Sequence, residues 1–280
     1  MSVIAAQGAI ELGLIYALVA IGVYLTFRLL DFPDLTVDGS FPLGAAIAAR
    51  ALTSGFDPVF ALVLSIIGGG AAGLITAFLA VRFRIHGLLA SILTMIALYS
   101  INIRIMGAPN LPLMDLPSLG GIPSLAALVL ILSVLLTFYL TSDSGLALRA
   151  TGVNPRMARA QGVRTDRQIQ FGLALSNGLI GLSGGLFALT NGFADVTLGT
   201  GTIVIGLAAV ILGEALYRGR AILPRLITVA AGAVVYRLAV ALALEGSGIG
   251  LSPSDLNLMT AILVTLALLA PRLAFLRKSA

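Results

Sequence analysis

The chain has 280 residues, of which 59% are hydrophobic and only 10% are charged, whereas soluble domains carry about 25% charged residues. Its net charge of +5 comes from basic residues placed between apolar runs rather than gathered with aromatics, so nucleic-acid binding is not expected. The chain contains no cysteine, which excludes disulfides, thiolate metal sites and a cysteine nucleophile. The composition therefore predicts an integral membrane protein.

Nine apolar segments are long enough to cross a hydrocarbon layer about 30 Å thick. They lie at roughly 2–27, 39–54, 58–81, 86–106, 122–141, 168–190, 199–216, 222–242 and 256–271. The second and seventh are short and contain glycine, so either can be broken or re-entrant, and the span count lies between eight and ten. We therefore expect an all-α, polytopic transmembrane helix bundle in which residues 1–280 form a single domain.

Ionisable side chains inside the spans are candidates for function, because a charge in lipid costs at least ~2.5 kcal/mol on insertion scales. Glu11 lies in the first span. It can line a pathway, but the preferred interpretation is that it pairs with Arg50 or Arg237, or reaches towards the membrane surface.

A denser polar cluster lies between the first and second spans. It consists of Asp34, Thr36, Asp38 and Ser40, between two prolines. A broken helix lining the translocation pathway would produce this pattern, because freed backbone groups are tolerated in a membrane only beside protein or a cavity. A cytoplasmic turn in which an aspartate caps the second helix would produce it equally well. Both interpretations stay open.

Weaker pathway candidates lie on the fourth and sixth spans. They are Ser91, Thr94, Tyr99, Asn102, Asn177 and Ser183. Such side chains often bond to their own helix or to a neighbouring one, which is the alternative interpretation for each of them.

Residues 142–167 interrupt the apolar chain and concentrate its charge. They carry the arginines Arg149, Arg156, Arg159, Arg164 and Arg167. Asn154-Pro155 is a typical helix start and Gly162 a typical helix stop, which predicts a helix of about two turns between them. So short a helix is not stable alone in water and needs a packing partner. Met157 and the neighbouring arginines project from it.

The next helix start follows directly, since Thr165 and Gln168 have the spacing of a capping box at the beginning of the sixth span. A basic loop on the cytoplasmic side would explain the arginines alone. It would not explain the succession of helix start, helix stop and second start, which favours a defined short helix at the membrane surface.

The distribution of basic residues predicts the orientation, because positive residues favour the cytoplasmic side. Fourteen of the 17 flank one set of alternating connections, and the other set has only Arg50, Arg104 and Arg237. Residues 142–167 and the C-terminus are therefore expected in the cytoplasm, and nine spans place the N-terminus outside.

Residues 145–163, GLALRATGVNPRMARAQGV, resemble the cytoplasmic coupling segment of permeases from the branched-chain amino acid and ribose branch of ABC importers. The family pattern is approximately G-x-A-x-R-A-x-G-x-N-x-x-A-A-x-x-x-G-[IV]. It matches here at Gly145, Ala147, Arg149, Ala150, Gly152, Asn154, Ala158, Gly162 and Val163. Residues 34–40, DLTVDGS, are similar to the D-L-S-V-G-S of the sugar permeases, with Asp38 as an additional residue. Residues 16–22, YALVAIG, are similar to the first helix of the amino acid members.

The resemblance implies a transmembrane subunit in a bacterial inner membrane that docks on a separate ABC ATPase. The docking residues would be Arg149, Asn154, Pro155, Arg156, Met157, Arg159 and Gly162. ATP and Mg²⁺ would be bound by that ATPase, and no cofactor or metal is expected in this chain. An extracytoplasmic solute-binding protein and a second permease copy would complete the importer, with a homodimer favoured over a heterodimer.

The residues of the chain also indicate that a separate protein binds the nucleotide. The glycine clusters at 68–73 and 181–185 lack the Lys-Ser/Thr of a phosphate loop and lie mid-span, so they are interpreted as sites of close helix packing. A secondary transporter coupled to an ion gradient through Glu11 or Asp34 is the main alternative. A membrane-embedded enzyme is disfavoured, because one histidine and scattered carboxylates supply no assembled catalytic group. The expected solute is small and neutral or zwitterionic. An amino acid is preferred, and among amino acids an aromatic one.

Overall fold

A computed structural model of the chain describes residues 3–113, 121–217, 219–245 and Thr265. Its helices are α1 Val3–Val23, α2 Val37–Thr53, α3 Pro58–Arg82, α4 Gly87–Met106, α5 Gly121–Thr141, α6 Asp143–Val153, α7 Pro155–Ala160, α8 Thr165–Asn191, α9 Thr202–Leu216 and α10 Ile222–Glu245. A π-helix at Tyr24–Leu29 continues α1, and a 3-10 helix at Val196–Gly199 precedes α9. The strands are β1 Asn110–Pro112 and β2 Phe193–Asp195.

Seven helical stretches of the described residues are long and apolar enough to cross a membrane. They are Val3–Leu29, Pro58–Arg82, Gly87–Met106, Gly121–Thr141, Thr165–Asn191, Val196–Leu216 and Ile222–Ala243, and each overlaps a predicted span. The predicted second span is α2, whose 17 residues reach only about 25 Å at 1.5 Å per residue. The predicted ninth span, 256–271, and the C-terminus lie outside the described residues apart from Thr265. The chain is thus a multi-pass membrane protein, and nine spans remain a prediction.

The predicted seventh span is broken near its start. The 3-10 helix Val196–Gly199 ends beside Gly201, whose φ of +81° belongs to the left-handed region that favours glycine. The regular helix α9 begins only at Thr202. The stretch Val196–Leu216 thus consists of a 3-10 helix and α9, joined by a turn at residues 200–201.

Helix ends elsewhere follow local signals in the sequence. Asp57 accepts a hydrogen bond from the amide of Val59 at 2.8 Å, and Pro58 occupies the first turn of α3. At the other ends of α4 and α8, Gly107 and Gly192 adopt left-handed φ values of 79° and 76°. Local chemistry thus accounts for these helix boundaries.

Helix α8 lies at the centre of the bundle, packed against α1, α2 and α3. A Cβ atom at Gly44 would lie 1.9 Å from the carbonyl oxygen of Gly181, and one at Gly69 would lie 2.2 Å from that of Asn177. Only glycine permits these approaches between backbones. The prediction that the glycine clusters serve close helix packing is confirmed.

Buried hydroxyl groups also join neighbouring helices. Ser183 Oγ on α8 donates to the carbonyl of Ile15 on α1 at 2.7 Å, and Ser176 Oγ donates to the carbonyl of Gly22 at 2.7 Å. Ser183, a pathway candidate from the sequence, is therefore placed at the contact between α8 and α1.

The two ends of the bundle are distinct. At the end that we call the β end, β1 and β2 pair antiparallel with Asn110 opposite Asp195, so the C-terminal ends of α4 and α8 lie together. At the end that we call the basic end, which also carries α6 and α7, Arg28 forms an ion pair with Glu214 between the π-helix and α9. Connections that carry most of the basic residues therefore lie at one end of the bundle, as the charge pattern predicts. Which end faces the cytoplasm stays a prediction.

The predicted ion pairs of Glu11 are not formed within the described residues. The guanidinium carbon of Arg237 instead lies 4.0 Å from the ring centroid of Tyr16, where the aromatic face attracts the cation. Pairing of Glu11 with Arg237 is therefore wrong for this structure, and Arg50 forms no such pair either.

Candidate functional site

Four of the predicted pathway residues meet in one buried polar network. Asn177 Nδ2 on α8 donates to Asp34 Oδ2 at 2.7 Å, and Ser40 Oγ on α2 donates to Asn177 Oδ1 at 2.7 Å. The amide of Thr36 donates to Asp34 Oδ1 at 2.9 Å, and its hydroxyl lies 2.7 Å from that of Thr76 on α3. These side chains are fully buried and bond to one another, so the network joins α2, α3 and α8.

Asp34 holds the turn before α2 through the Thr36 amide, but the N-cap position of α2 is Thr36 and no side chain caps it, so the predicted aspartate cap of the second helix is wrong. Asp38 does something else. Its Oδ1 accepts from the amide of Ile203 at 2.8 Å and its Oδ2 from that of Gly201 at 3.4 Å. The carboxylate of Asp38 therefore caps the N-terminus of α9, where the unpaired amides and the helix dipole favour a negative charge.

A cavity of about 430 Å³ opens between α2, α4 and the segment that follows β2. Its volume lies within the range of ~300–1,000 Å³ that is usual for ligand pockets. Its polar side chains are Asp38, Ser100, Asn102, Thr197 and Thr200, and its apolar ones are Pro42, Met95, Ile96, Tyr99 and Val196. The cavity adjoins the β end of the bundle, because Val196 directly follows β2.

Asn102 is the buried polar group of this cavity. Its Nδ2 donates to the carbonyl of Gly39 at 3.3 Å, and its Oδ1 has no hydrogen-bond partner among the described residues. Asp38, Tyr99 and Asn102 are therefore the predicted pathway residues that the structure brings to the cavity.

Ser91 and Thr94 lie away from it. Ser91 Oγ donates to the carbonyl of Leu88 at 2.9 Å, and Thr94 Oγ1 donates to that of Ala90 at 3.0 Å. Both bond to their own helix α4, which was the alternative interpretation. Their place in a pathway stays a prediction that this geometry does not favour.

Several cavity residues were not found by the sequence reasoning. They are Met95, Ser100, Thr197 and Thr200. One signal was available. Helix α9 begins at Thr202, and Gly201 at its N-cap position has no side chain that could cap the helix. An uncapped helix start inside a membrane protein needs an acceptor from elsewhere, and the segment around it is then a candidate for a site.

Next to the cavity, Asp195 orders the β end. Burial alone would raise the pKa of the Asp195 carboxyl, but hydrogen bonds from Thr197 and Asn110 outweigh it and hold the pKa below its usual value. The distances to Asp195 are 2.7 Å from the Thr197 amide, 2.6 Å from its hydroxyl and 3.0 Å from Asn110 Nδ2. The ionised carboxylate thus holds β1 against the segment that lines the cavity.

At the basic end, the short helix forms as the sequence predicts. Asn154 Oδ1 accepts from the amide of Met157 at 3.0 Å, Pro155 occupies the first turn of α7, and Gly162 follows the helix with φ of 84°. Met157 is 63% exposed, whereas Ala158 is buried against the rest of the chain. One face of α7 therefore packs on the bundle. Met157 and the neighbouring Arg156 lie exposed on the other face.

The predicted capping box at Thr165 and Gln168 is wrong. Thr165 Oγ1 instead accepts from Arg159 Nη2 at 2.7 Å and from Arg159 Nε at 3.1 Å, while Gln168 Oε1 has no partner within the described residues. Arg159 also forms an ion pair with Asp166 at 3.0 Å. Because the guanidinium occupies the hydroxyl, Arg159 links α7 to the start of α8 rather than projecting freely.

Helix α6 connects α7 to the core. A Cβ atom at Gly152 would lie 1.8 Å from the carbonyl oxygen of Leu29, so α6 packs directly on the π-helix that ends α1. Leu148 of α6 is fully buried, and Arg149 has its Nε buried without a partner in the described part of the chain. Helix α6 thus contacts the π-helix backbone to backbone, and α7 is joined to α8 by the Arg159 side chain.

The sequence matches the family described as "Branched-chain amino acid transport system / permease component" over residues 6–270. It is 40% identical over 256 residues to the tyrosine transport system permease protein of Clostridioides difficile (strain R20291), which covers 90% of this chain and 86% of that protein. An uncharacterized protein of Rickettsia prowazekii (strain Madrid E) is 39% identical over 178 residues, covering 61% of this chain and 63% of that protein.

Two solved structures are similar in fold. PsaBC from Streptococcus pneumoniae, in complex with Fab, has a TM-score of 0.55 at 15% identity, covering 94% of this chain and 89% of that chain. A metal-chelate type ABC transporter in an inward-facing conformation has a TM-score of 0.50 at 17% identity, covering 99% of this chain and 85% of that chain. At these identities the likeness concerns the arrangement of helices alone.

Proposed function

The chain belongs to the family of branched-chain amino acid transport system permease components, and from that premise we propose that it is the transmembrane subunit of an ABC importer. The observation that carries the proposal is the match over residues 6–270, which includes the short capped helix α7. One of the two solved structures of similar fold is described as an ABC transporter in an inward-facing conformation. ATP hydrolysis is assigned to a separate ATPase that binds ATP and Mg²⁺.

Helix α7 is the proposed docking element. Exposed Met157, flanked by Arg156, suits a hydrophobic notch with an acidic rim on the ATPase, because the flexible thioether adapts to irregular pockets. Asn154, Pro155 and Gly162 act by forming the helix at this position. Arg149 lies behind α7 on α6, and Arg159 of α7 bonds to the start of α8.

The proposed coupling is a rigid displacement. Movement of the ATPase shifts α7, which is held to α8 through Arg159 and to the π-helix of α1 through Gly152 on α6. π-helical turns occur frequently at functional sites. The displacement thereby reaches the two helices that pack closest to the core of the bundle.

The proposed solute is an amino acid, and an aromatic one is preferred. The relative from Clostridioides difficile is named as a tyrosine transport system permease. The cavity at the β end combines the carboxylate of Asp38 with an apolar wall, which suits a zwitterion that carries an apolar side chain. An extracytoplasmic solute-binding protein is expected to deliver the solute at that end.

A second permease copy is also proposed, in a homodimer, because one chain of this size supplies half of an importer pathway. The exposed side of α4, with Ile96 and Tyr99 beside the cavity, would then face the partner across that pathway. A heterodimer with a related permease is the alternative, and the mass of the purified complex distinguishes the two.

The docking proposal is tested by co-purification. The full-length chain is co-expressed with an ABC ATPase from the same organism, and the ATPase should co-purify with the wild-type chain. Replacing Asn154-Pro155 by Gly-Gly removes the cap and the fixed φ of α7 and should abolish co-purification while membrane insertion is retained. Undiminished ATPase in the variant complex would contradict the docking role of α7.

A second candidate function, an ion-coupled secondary transporter, is favoured by one observation. Asp34 is fully buried and bonded only to neutral donors, as in a carboxylate that can take up a proton or bind a cation. This alternative requires the isolated chain to transport solute down an ion gradient. Solute uptake by liposomes that contain the chain without an ATPase tests it directly.

A further inference from the structure

The cavity at the β end contains a buried acceptor without a donor. Asn102 is fully buried, and its bond from Nδ2 to the Gly39 carbonyl fixes which end of the amide is nitrogen. Asn102 is one of the residues that line the cavity, and its Oδ1, itself buried, has no partner among the described residues. A buried acceptor left unpaired is costly, so this atom indicates a ligand that brings an N–H or O–H donor.

The charge of the cavity indicates which donor. Asp38 uses its carboxylate oxygens for two backbone amides, whereas a carboxylate has about four acceptor positions. Of the described residues that line the cavity, none is an arginine, a lysine or a histidine. A cationic donor is thus favoured over a neutral or an anionic one.

We propose that Asp38 and Asn102 form a subsite for a primary ammonium group, and that Met95, Ile96 and Tyr99 contact the apolar group attached to it. The proposal rests on the proposed function and deepens it, because it states which end of an amino acid the permease holds. It predicts that tyramine, which keeps the ammonium group of tyrosine and lacks the carboxylate, occupies the cavity. It also predicts that 3-(4-hydroxyphenyl)propanoate, which keeps the carboxylate and lacks the ammonium group, does not.

The absence of cysteine from the chain permits a direct test of the local charge. Thr200→Cys places one thiol in the cavity, next to the Gly201 amide that Asp38 accepts. The full-length variant is labelled with a cationic and an anionic methanethiosulfonate, and each rate is normalised to that of a free thiol. The cationic reagent should react at least about tenfold faster, since a cleft of one charge raises the on-rate of the opposite charge by ~10-fold or more.

Two further variants assign the effect to the named side chains. Asp38→Asn in the Thr200→Cys background should bring the two normalised rates together. Asp57→Asn is the matched control, because Asp57 also accepts a backbone amide at a helix start but lies outside the cavity. It should leave the rate ratio unchanged. A ratio that persists in Asp38→Asn would overturn the proposal.

Protection from labelling tests the ligand itself. Tyramine and L-tyrosine should slow the labelling of Thr200→Cys, and 3-(4-hydroxyphenyl)propanoate should not. Asn102→Leu should abolish protection, and it does so without touching the cap of α9, which keeps the test valid if Asp38→Asn fails to fold. Equal protection by all three compounds would overturn the proposal.

These measurements use the chain alone and are independent of ATP. ATP-driven uptake with no ammonium-selective protection would leave the proposed function standing and refute the subsite. Selective protection with no ATP-driven uptake would leave the subsite standing and refute the importer.

Discussion

Truncation of Met157 is expected to weaken the binding of the ATPase by about five- to thirtyfold. Full burial of a methionine side chain contributes ~1.5–3 kcal/mol. Met157 is 63% exposed on α7, so docking can bury at most that part of it, which scales the contribution to ~1–2 kcal/mol. Since 1.4 kcal/mol corresponds to tenfold in affinity, Met157→Ala should raise the Kd by the stated factor. Met157→Asp should have a larger effect, because docking would then bury an unpaired charge.

The assay is a titration of the ATPase onto full-length chain in lipid nanodiscs. Phe83→Ala is the matched control, because Phe83 is 62% exposed and lies at the basic end but outside α6 and α7. Its Kd should stay within about twofold of the wild-type value, a change below ~0.5 kcal/mol. A Met157→Asp chain that binds the ATPase as tightly as the wild type would refute the assignment of docking to α7.

Three further predictions concern the bundle itself. Gly44→Val should lower the melting temperature and the yield of folded chain in detergent, because a Cβ there would lie 1.9 Å from the Gly181 carbonyl oxygen; unchanged melting would contradict the packing described. Asn177→Leu should cost about 1–3 kcal/mol of unfolding free energy, since it leaves Asp34 buried without one donor, and an unaltered denaturation midpoint would show that this bond is dispensable. The lowered pKa of Asp195 contributes stability above about pH 4, and this contribution is lost as the pH falls through the folded-state pKa. The melting temperature of Asp195→Asn should therefore fall less between neutral and acid pH than that of the wild type. An identical dependence of the melting temperature on pH in both proteins would contradict this.

Much of the fold could be predicted from the sequence, because its signals are local. The start of α3 at Asp57-Pro58 and the whole of α7, from Asn154 to Gly162, depend on side chains within one turn of the groups they satisfy. Apolar runs likewise indicate which segments are long enough to cross a membrane. Such features need no knowledge of which helices are neighbours.

The rest depends on contacts between distant parts of the chain. Asp38 caps α9, more than 160 residues away, and no pattern around Asp38 indicates that partner. The hydroxyl of Thr165 has the spacing of a cap but is occupied by Arg159, because a guanidinium bond competes with the local one. The cavity arises where α4 meets the broken seventh segment, and neither is distinguished by its own sequence.

The sequence therefore predicted which polar residues are candidates for the site, but not how they are arranged in space. Asp34, Ser40 and Asn177 are polar residues in an apolar chain, which the sequence detects, yet the structure joins them in a closed network. Asp38 and Asn102 have the same polarity and line a cavity instead. Helix packing alone decides which of these polar residues join the closed network and which line the cavity.

Uptake of radiolabelled L-tyrosine into proteoliposomes tests the central claim most directly. The full-length chain is reconstituted with an ABC ATPase and a solute-binding protein from the same organism, with and without ATP and with an ATPase variant that cannot hydrolyse ATP. The importer account predicts uptake only when all three proteins and hydrolysable ATP are present. Uptake by the chain alone along an ion gradient, without ATP, would contradict it.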